Sequence, residues 1–212
     1  MFHVFCDFDG TITTRDATDF ILERLAAPEW LEVEARWQKG LIGSAECMRE
    51  QVKLINATQQ ELNQTLDEVE IDEGFMDFIT LCRQSNIPLT IISDGIDHFI
   101  RYILTRHKLG EIPVVANRLT ITPENRYELD SPWSFDKCTA GAGVCKCRFV
   151  GEQKARSFYV GDGRSDFCVS NKPEFVFAKG TLATHCKKNN IAYTPYHSFY
   201  DVIDGFKELL RN

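Results

Sequence analysis

Residues 4–13 form the segment that most constrains the fold and the chemistry of this chain. An apolar run ends at Cys6, and two carboxylates, Asp7 and Asp9, follow within three residues, before Gly10 and a run of hydroxyl residues. A buried strand that ends in two carboxylates needs a compensating charge, and hard cations such as Mg²⁺ take oxygen ligands. One acid can attack as a nucleophile while the other passes protons to a leaving group. The alternative is a plain turn, because Asp and Gly are common turn formers.

Length and composition limit the classes of protein to consider. The 212 residues, 43% of them hydrophobic, are enough for one domain with a substantial insertion or for two small domains. We expect no membrane or nucleic-acid partner, because the apolar runs fall short of the ~18 residues that span a bilayer and the formal net charge is −7. The first apolar run leads straight into acidic residues, so no signal peptide is indicated. The eight cysteines are therefore expected to be reduced, as in the cytoplasm.

Strands alternate with helices outside one helical block, which covers residues 15–72. The predicted strands cover residues 2–6, 88–92, 113–116, 118–122, 157–160 and 175–178. The predicted helices cover residues 17–25, 29–41, 44–55, 59–69, 73–84, 98–108, 147–156 and 198–211, with Ser44 and Thr58 as N-caps. The alternation predicts an α/β fold, a parallel sheet covered by helices on both faces. In such sheets, ligands bind beyond the carboxyl ends of the strands.

Polar residues also follow the second predicted strand. Ser93 offers a hydroxyl donor, and the N–H groups of Asp94 and Gly95 can face an anion at the start of a helix. The N–H groups of Gly10 and Thr11 can do the same after the first strand. The alternative for Ser93 and Asp94 is a helix N-cap without any ligand.

A third polar cluster follows the strand at residues 157–160. Asp162 can coordinate Mg²⁺ directly, and Asp166 can bind it through water or hold a neighbouring ligand. The alternative is an exposed acidic turn. Because the carboxyl ends of parallel strands meet at one edge, we expect all three clusters to converge there.

A site that transfers a phosphoryl group also needs a cation from the protein. We choose Lys146, because it lies just before the predicted helix that leads into the Asp162 strand. Lys154, near the far end of that helix, and Lys137, in the preceding loop, are the weaker candidates.

These motifs together resemble the haloacid dehalogenase superfamily of aspartate-nucleophile phosphatases. The segment Asp7–Thr11 resembles its first motif, Ile92–Gly95 its second, Lys146 its third and Gly161–Asp166 its fourth. Their order and spacing match over almost the whole chain.

The resemblance implies a Rossmann-like core made of residues 1–14 and 73–212. A small helical cap, residues 15–72, is inserted after the first strand, as in the phosphoserine phosphatase-like subclass. The implied activity is that of a Mg²⁺-dependent phosphomonoesterase for a small phosphorylated metabolite, in a monomer or homodimer. A dehalogenase of the same fold is disfavoured, because that chemistry uses no acid/base at the position of Asp9.

The resemblance also implies roles for individual residues. Asp7 attacks phosphorus and becomes an aspartyl-phosphate, Asp9 is the acid and base, and Lys146 is the third catalytic residue. The implied substrate-binding residues are Ser93, Asp94, Gly95 and Asp16. The implied metal ligands are Asp7, Asp9, Asp162 and Asp166.

Three segments resemble a methionine-salvage subfamily that acts on 2-hydroxy-3-keto-5-methylthiopentenyl-1-phosphate. They are residues 28–30, 131–133 and 138–147. Asp94, where a second glycine is common, and residues 163–165 depart from the subfamily pattern.

Several alternatives stay open at this point. Asp16 either holds the amino group of a substrate such as phosphoserine or caps a helix. A phosphotransferase is a second enzyme class, and a non-catalytic phosphate-binding module is a third possibility, although such a module should have lost Asp7 or Asp9. The cysteines at 138, 145 and 147 are a candidate zinc site, but their spacing lacks the paired Cys-x₂-Cys pattern.

Overall fold

The computed structural model describes residues 2–153 and 155–211. Within them, seven strands form one sheet: β1 (Phe2–Cys6), β2 (Leu89–Ile96), β3 (Val114–Ile121), β4 (Tyr127–Asp130), β5 (Arg156–Gly161), β6 (Phe175–Ala178) and β7 (Thr194–Pro195). The strand order is β4-β3-β2-β1-β5-β6-β7. β1 pairs in parallel with β2 and β5, and β6 pairs in parallel with β5 and β7, whereas β3 and β4 are antiparallel. The predicted α/β fold with a mainly parallel sheet is confirmed.

Nine α-helices accompany the strands in the described part of the chain. They are α1 (Ala17–Leu25), α2 (Trp30–Gln38), α3 (Ser44–Val52), α4 (Gln59–Leu66), α5 (Phe75–Gln84), α6 (Asp97–Arg106), α7 (Lys146–Gly151), α8 (Gly180–Lys188) and α9 (Phe199–Arg211). Among the described residues, no helix combines the length and hydropathy that crossing a bilayer requires.

The chain divides into two compact units. The first contains the residues up to Thr14, Ile71–Ile92, and the chain from Lys146 onward; the second contains Arg15–Glu70 and Ser93–Cys145. The helical block after β1 thus groups with the segment that follows Ile92. The predicted assignment of residues 1–14 and 73–212 to a core and of 15–72 to a cap stays a prediction.

The core of the first unit is aromatic, and it supports the strands that carry the acidic residues. α9 has its apolar residues at helical spacing, and Phe199, Val202, Ile203 and Phe206 are all buried. Phe206 packs against Phe158 of β5 at 4.6 Å and against Phe78 of α5 at 5.4 Å between ring centroids. Removing one such ring costs about 3–5 kcal/mol, so α5 and α9 hold the sheet in place.

Side-chain caps and long-range hydrogen bonds fix the helices of the second unit. The Asp16 carboxylate accepts the N–H of Asp19 at the start of α1, and Thr58 caps α4 with a capping box. The Tyr127 hydroxyl donates to the carbonyl of Ala57 at 2.9 Å, which joins β4 to the helical block.

Several sequence-based boundaries differ from the structure. β2 continues to Ile96 instead of ending at residue 92, and β3 is one strand where two were predicted. α7 ends at Gly151, five residues early, because the helix stops where glycine weakens it. Ser44 is the first helical residue of α3, and Gly43 is the N-cap, so the prediction of Ser44 as a cap was wrong. β4, α8 and β7 were not predicted.

Candidate active site

The carboxyl ends of β1 and β5 bring two of the predicted acidic clusters together. The two strands are parallel neighbours in which Cys6 pairs with Val160. The N–H of Asp7 donates to the Val160 carbonyl at 2.9 Å, so the ladder continues past the end of β1. Asp7 and Asp162 therefore follow adjacent strands at the same edge, as the α/β pattern predicts.

Lys146 is a fully buried cation at this edge. As the first residue of α7, it reaches back so that its Nζ lies 2.8 Å from Asp7 Oδ2 and 2.6 Å from Asp166 Oδ1. It also donates to Ser165 Oγ at 3.0 Å. Burial alone would lower the pKa of Lys146, but the two carboxylates outweigh it and raise the pKa above its usual range. Lys154 lies outside the described residues, and Lys137 is exposed in the other unit.

The Asp166 carboxylate accepts four donors. Lys146 Nζ and the Tyr159 hydroxyl donate to its Oδ1, and the N–H groups of Asp162 and Gly163 donate to Oδ2 at 3.0 and 3.1 Å. Burial favours the neutral acid, yet Lys146 and these donors lower the pKa of Asp166. Asp166 is thus an anion whose oxygens are already occupied, and it holds Lys146 in place.

The turn after β1 closes against Asp162. The Thr11 hydroxyl donates to Asp162 Oδ1 at 2.6 Å, and burial raises the pKa of Asp162 to about 6 despite this bond. Gly10 has φ +68°, and a Cβ there would lie 2.7 Å from Asp162 Oδ2, so this close approach requires glycine. The N–H groups of Gly10 and Thr11 donate inside the turn, to Thr13 Oγ1 and the Phe8 carbonyl, instead of pointing to an anion as predicted.

One group of described residues has the composition and spacing of a metal site. Oxygen atoms of Asp7, Asp162 and Asp166 lie within 4.8 Å of one another. Burial and the neighbouring Asp166 raise the pKa of Asp7 well above its ordinary value, against the pull of Lys146. This all-oxygen donor set suits a hard divalent cation. Asp9, which is half-buried, lies outside this group of three.

The residues of the second predicted cluster belong to the other unit. Ser93, Asp94 and Gly95 are buried, and Ser93 Oγ accepts the N–H of Gly95 at 2.9 Å. The Asp94 carboxylate accepts the Ser44 hydroxyl and the N–H of Val144. The side chain of Asp94 is therefore engaged within the protein, while the substrate-binding role predicted for this cluster stays a prediction.

Asp16 is exposed, and it caps α1, which is one of the two alternatives stated for it. The group of three aspartates contains none of the cysteines at 138, 145 and 147.

Three residues have roles in this site that were not predicted from the sequence. The Thr11 hydroxyl holds Asp162, Ser165 bridges from Lys146 towards Asp7 with 3.5 Å to Oδ2, and Tyr159 donates to Asp166. A signal existed for two of them, because Thr11 and Ser165 are hydroxyl residues inside the two acidic motifs. Tyr159 lies within a predicted buried strand, where an aromatic residue is expected for packing alone, so nothing in the sequence indicated that its hydroxyl belongs to the site.

Comparison with known proteins places these observations in a family. The haloacid dehalogenase-like hydrolase family matches residues 4–170. A 2-hydroxy-3-keto-5-methylthiopentenyl-1-phosphate phosphatase of Bacillus mycoides (strain KBAB4) is 32% identical over 214 residues, which cover 98% of this chain and 97% of that protein. A phosphatase of the same name from Bacillus cereus (strain 03BB102) is 32% identical over 215 residues, with the same coverage.

Solved structures agree at the level of the fold. A phospho-aspartyl intermediate analogue of phosphoserine phosphatase superposes with a TM-score of 0.71 at 17% identity, covering 95% of this chain and 96% of that one. A substrate-bound phosphoserine phosphatase complex gives 0.68, also at 17% identity and with the same coverage. The family and the curated phosphatases confirm the prediction of a hydrolase that acts on phosphoric monoesters. The chain belongs to the haloacid dehalogenase-like hydrolase family.

Proposed function

We propose that this hydrolase cleaves a small phosphomonoester through an aspartyl-phosphate on Asp7, with Mg²⁺ as its cofactor. The observation that carries the proposal is the buried contact of Asp7 with Lys146, beside Asp162, at the shared edge of β1 and β5. A nucleophile held against a fixed cation suits attack on an anionic phosphoryl group, because the cation offsets the charge of both partners.

Two displacements at phosphorus complete the reaction. An Asp7 carboxylate oxygen forms a bond to phosphorus while the ester P–O bond breaks, and the leaving alkoxide takes a proton from Asp9. Asp9, now a carboxylate, then takes a proton from water as the water oxygen attacks phosphorus. The P–O bond to Asp7 breaks, inorganic phosphate leaves, and both carboxyl groups return to their starting states.

The neighbouring residues position these groups. Lys146 holds the Asp7 carboxylate and lies where it can meet the charge of the transferred phosphoryl group. Asp7 and Asp162, whose oxygens lie within 4.8 Å of each other, would hold Mg²⁺, which when bound supplies Lewis-acid polarisation of the phosphoryl oxygens. Asp166 already accepts four donors, so we assign it the role of holding Lys146, which the sequence did not predict.

We propose 2-hydroxy-3-keto-5-methylthiopentenyl-1-phosphate as the substrate and methionine salvage as the pathway. The support is the name shared by the curated relatives, which are 32% identical over 98% of the chain. Ser93 and the backbone of Asp94 and Gly95 are proposed to bind its phosphoryl group. Phosphoserine and related amino-alcohol phosphates are the alternative substrates, and Asp16 would then bind their amino group. Transfer of the phosphoryl group to an alcohol is the alternative reaction.

We also propose a cytoplasmic location and a small-metabolite partner, in a monomer or homodimer. All eight cysteines have free thiols, and five of them are buried, which suits a reducing compartment.

The test is phosphate release from a panel of monoesters with Mg²⁺, using wild type and Asp7→Asn. The panel holds the methylthio-enol phosphate, phosphoserine, phosphocholine, phosphoethanolamine and pyridoxal phosphate. We expect one preferred ester, with turnover abolished in Asp7→Asn and an unchanged far-UV circular dichroism spectrum. Asp136→Asn, at an exposed loop position, is the matched control and should keep full activity. Turnover by Asp7→Asn at the wild-type rate would exclude the covalent route, and preference for phosphoserine would replace the proposed substrate.

A further inference from the structure

One buried carboxylate, that of Asp94, joins three separate segments of the second unit. Its Oδ2 accepts the Ser44 hydroxyl at 2.5 Å, at the start of α3 in the helical block. Its Oδ1 accepts the N–H of Val144 at 2.9 Å, in the loop that precedes α7. Asn117 in β3 donates its Nδ2 to the same Oδ1 at 3.4 Å. Asp94 is 7% exposed, so these bonds lie largely away from water.

Asn117 also fixes the direction of the backbone at Asp94 and Gly95. Its Nδ2 lies 2.6 Å from the Asp94 carbonyl and 3.2 Å from the Gly95 carbonyl. In a planar trans peptide, the N–H points away from the C=O. The Gly95 N–H is thereby turned away from Asn117, and it donates to Ser93 Oγ. Gly143 leaves room for this amide, because a Cβ there would lie 2.2 Å from Asn117 Oδ1.

We propose that Asp94 is a positioning residue for phosphoester hydrolysis, an inference that rests on the proposed function. Its carboxylate holds the start of α3 and the Val144 backbone in one arrangement with the strand segment that carries Ser93. Val144 precedes Lys146 by two residues in the chain, so the same carboxylate restrains the loop that leads to the catalytic lysine. Asp94 thus acts through Ser93 and this loop, and it does not contact the substrate through its own carboxylate.

The pattern of bonds separates this role from direct recognition of a substrate cation. In Asp94→Asn, an amide oxygen can replace Oδ1 and accept from Val144 and Asn117. The amide nitrogen can replace Oδ2 and donate to Ser44, whose hydroxyl also accepts. The asparagine variant keeps the arrangement and loses the charge, whereas Asp94→Ala loses both. A positioning role therefore predicts rescue by asparagine, and a carboxylate that binds a substrate amine predicts that both variants fail equally.

Steady-state kinetics of the full chain with Mg²⁺ and its preferred phosphomonoester provide the first measurement. We expect Asp94→Ala to raise KM at least about tenfold, which corresponds to the loss of one charged hydrogen bond. Asp94→Asn should stay within about threefold of wild type, because neutral bonds replace charge-assisted ones. Ser44→Ala removes only the hydrogen bond from the Ser44 hydroxyl to Asp94, so its KM should lie between those of the two Asp94 variants. It replaces Asp94→Ala in the test if that variant does not fold. A residue with only a structural role would lower the active fraction, and hence kcat, without moving KM.

Hydrogen exchange provides a second measurement that does not depend on turnover. Peptides that contain Val144 and the first turn of α3 should exchange faster in Asp94→Ala and Ser44→Ala than in wild type or Asp94→Asn. Tyr127→Phe is the matched control, because its hydroxyl also joins the helical block to a strand of the same unit but bonds to Ala57. This control should leave KM and the exchange at Val144 unchanged.

The two measurements distinguish failure of the inference from failure of the proposed function. If wild type releases no phosphate from any ester of the panel, the proposed function is refuted, and the exchange data still test the bonds of Asp94. If Asp94→Ala keeps wild-type KM and exchange, Asp94 positions nothing. If Asp94→Asn loses as much affinity as Asp94→Ala, the carboxylate acts through its charge and the positioning role is wrong. If Tyr127→Phe raises KM as Ser44→Ala does, any loosening of the helical block suffices, and Asp94 has no particular role.

Discussion

Lys146→Met removes one buried positive charge while it keeps a long apolar side chain. In the wild type, the ammonium is fully buried and lies 2.8 Å from Asp7 and 2.6 Å from Asp166. After the change, Asp166 keeps the Tyr159 hydroxyl and two backbone donors. Asp7 keeps the N–H of Phe8 at 2.8 Å. The variant therefore leaves two buried carboxylates that share no cation from the protein.

The expected cost follows from breaking a buried ion pair, which destabilises proteins by about 3–5 kcal/mol. We expect the lower end, about 3 kcal/mol, because Asp166 retains three of its four donors. For a chain of this size, that corresponds to a fall in Tm of roughly 6–12 °C. Turnover should fall about 10²–10³-fold, because a preorganised cation next to the nucleophile is lost.

The assay is urea unfolding of wild type and variant in chelator, repeated with Mg²⁺, together with phosphate release by the folded protein. Arg148→Met is the matched control, because Arg148 lies in the same helix and pairs with Glu152 at 3.0 Å on the surface. Exposed pairs of this kind contribute about 0–1 kcal/mol. If Lys146→Met loses no more stability and no more turnover than Arg148→Met, the buried pair does not organise this site.

Three further changes test other parts of the structure. Asp162→Asn should raise the Mg²⁺ concentration for half-maximal activity by at least about tenfold, since an anionic ligand becomes neutral; an unchanged Mg²⁺ titration would remove Asp162 from the metal site. Gly143→Ala should cost about 1–3 kcal/mol in urea unfolding, because its Cβ would press on the buried Asn117; wild-type stability would show that this contact relaxes freely. Thr58→Ala should cost about 1 kcal/mol by removing the capping box with Glu61, and it should leave KM unchanged.

The strands and helices that position the acidic residues could be predicted from local pattern. β1 covers the predicted residues 2–6, since an apolar run followed by carboxylates has few other interpretations in a folded chain. α1 also begins and ends as predicted, with Asp16 as its cap. The convergence of Asp7 and Asp162 followed from topology, because parallel strands end at a common edge.

Elements whose stability depends on distant partners could not be predicted in this way. The Ser93–Gly95 segment has turn-forming composition, yet it continues β2, because Asn117 bonds to two of its carbonyls and Val144 to a side chain within it. The sequence pattern predicted two strands that were separated at Asn117, whereas Asn117 is fully buried within the single strand β3. β4 has only four residues, and its pairing with β3 stabilises it in a turn-rich sequence.

The choice of nucleophile among the clustered carboxylates also depends on the tertiary structure. Asp166 accepts four donors, and hydrogen bonds of this kind lower the nucleophilicity of carboxylate oxygens. Asp162 is bound by the Thr11 hydroxyl, whereas Asp7 is bound directly by Lys146. An attack by Asp7 would therefore bring the phosphoryl oxygens next to a buried ammonium that is already in position. Because a charge fixed in advance requires no reorganisation during the reaction, the position of Lys146 supports our proposal that Asp7 is the nucleophile.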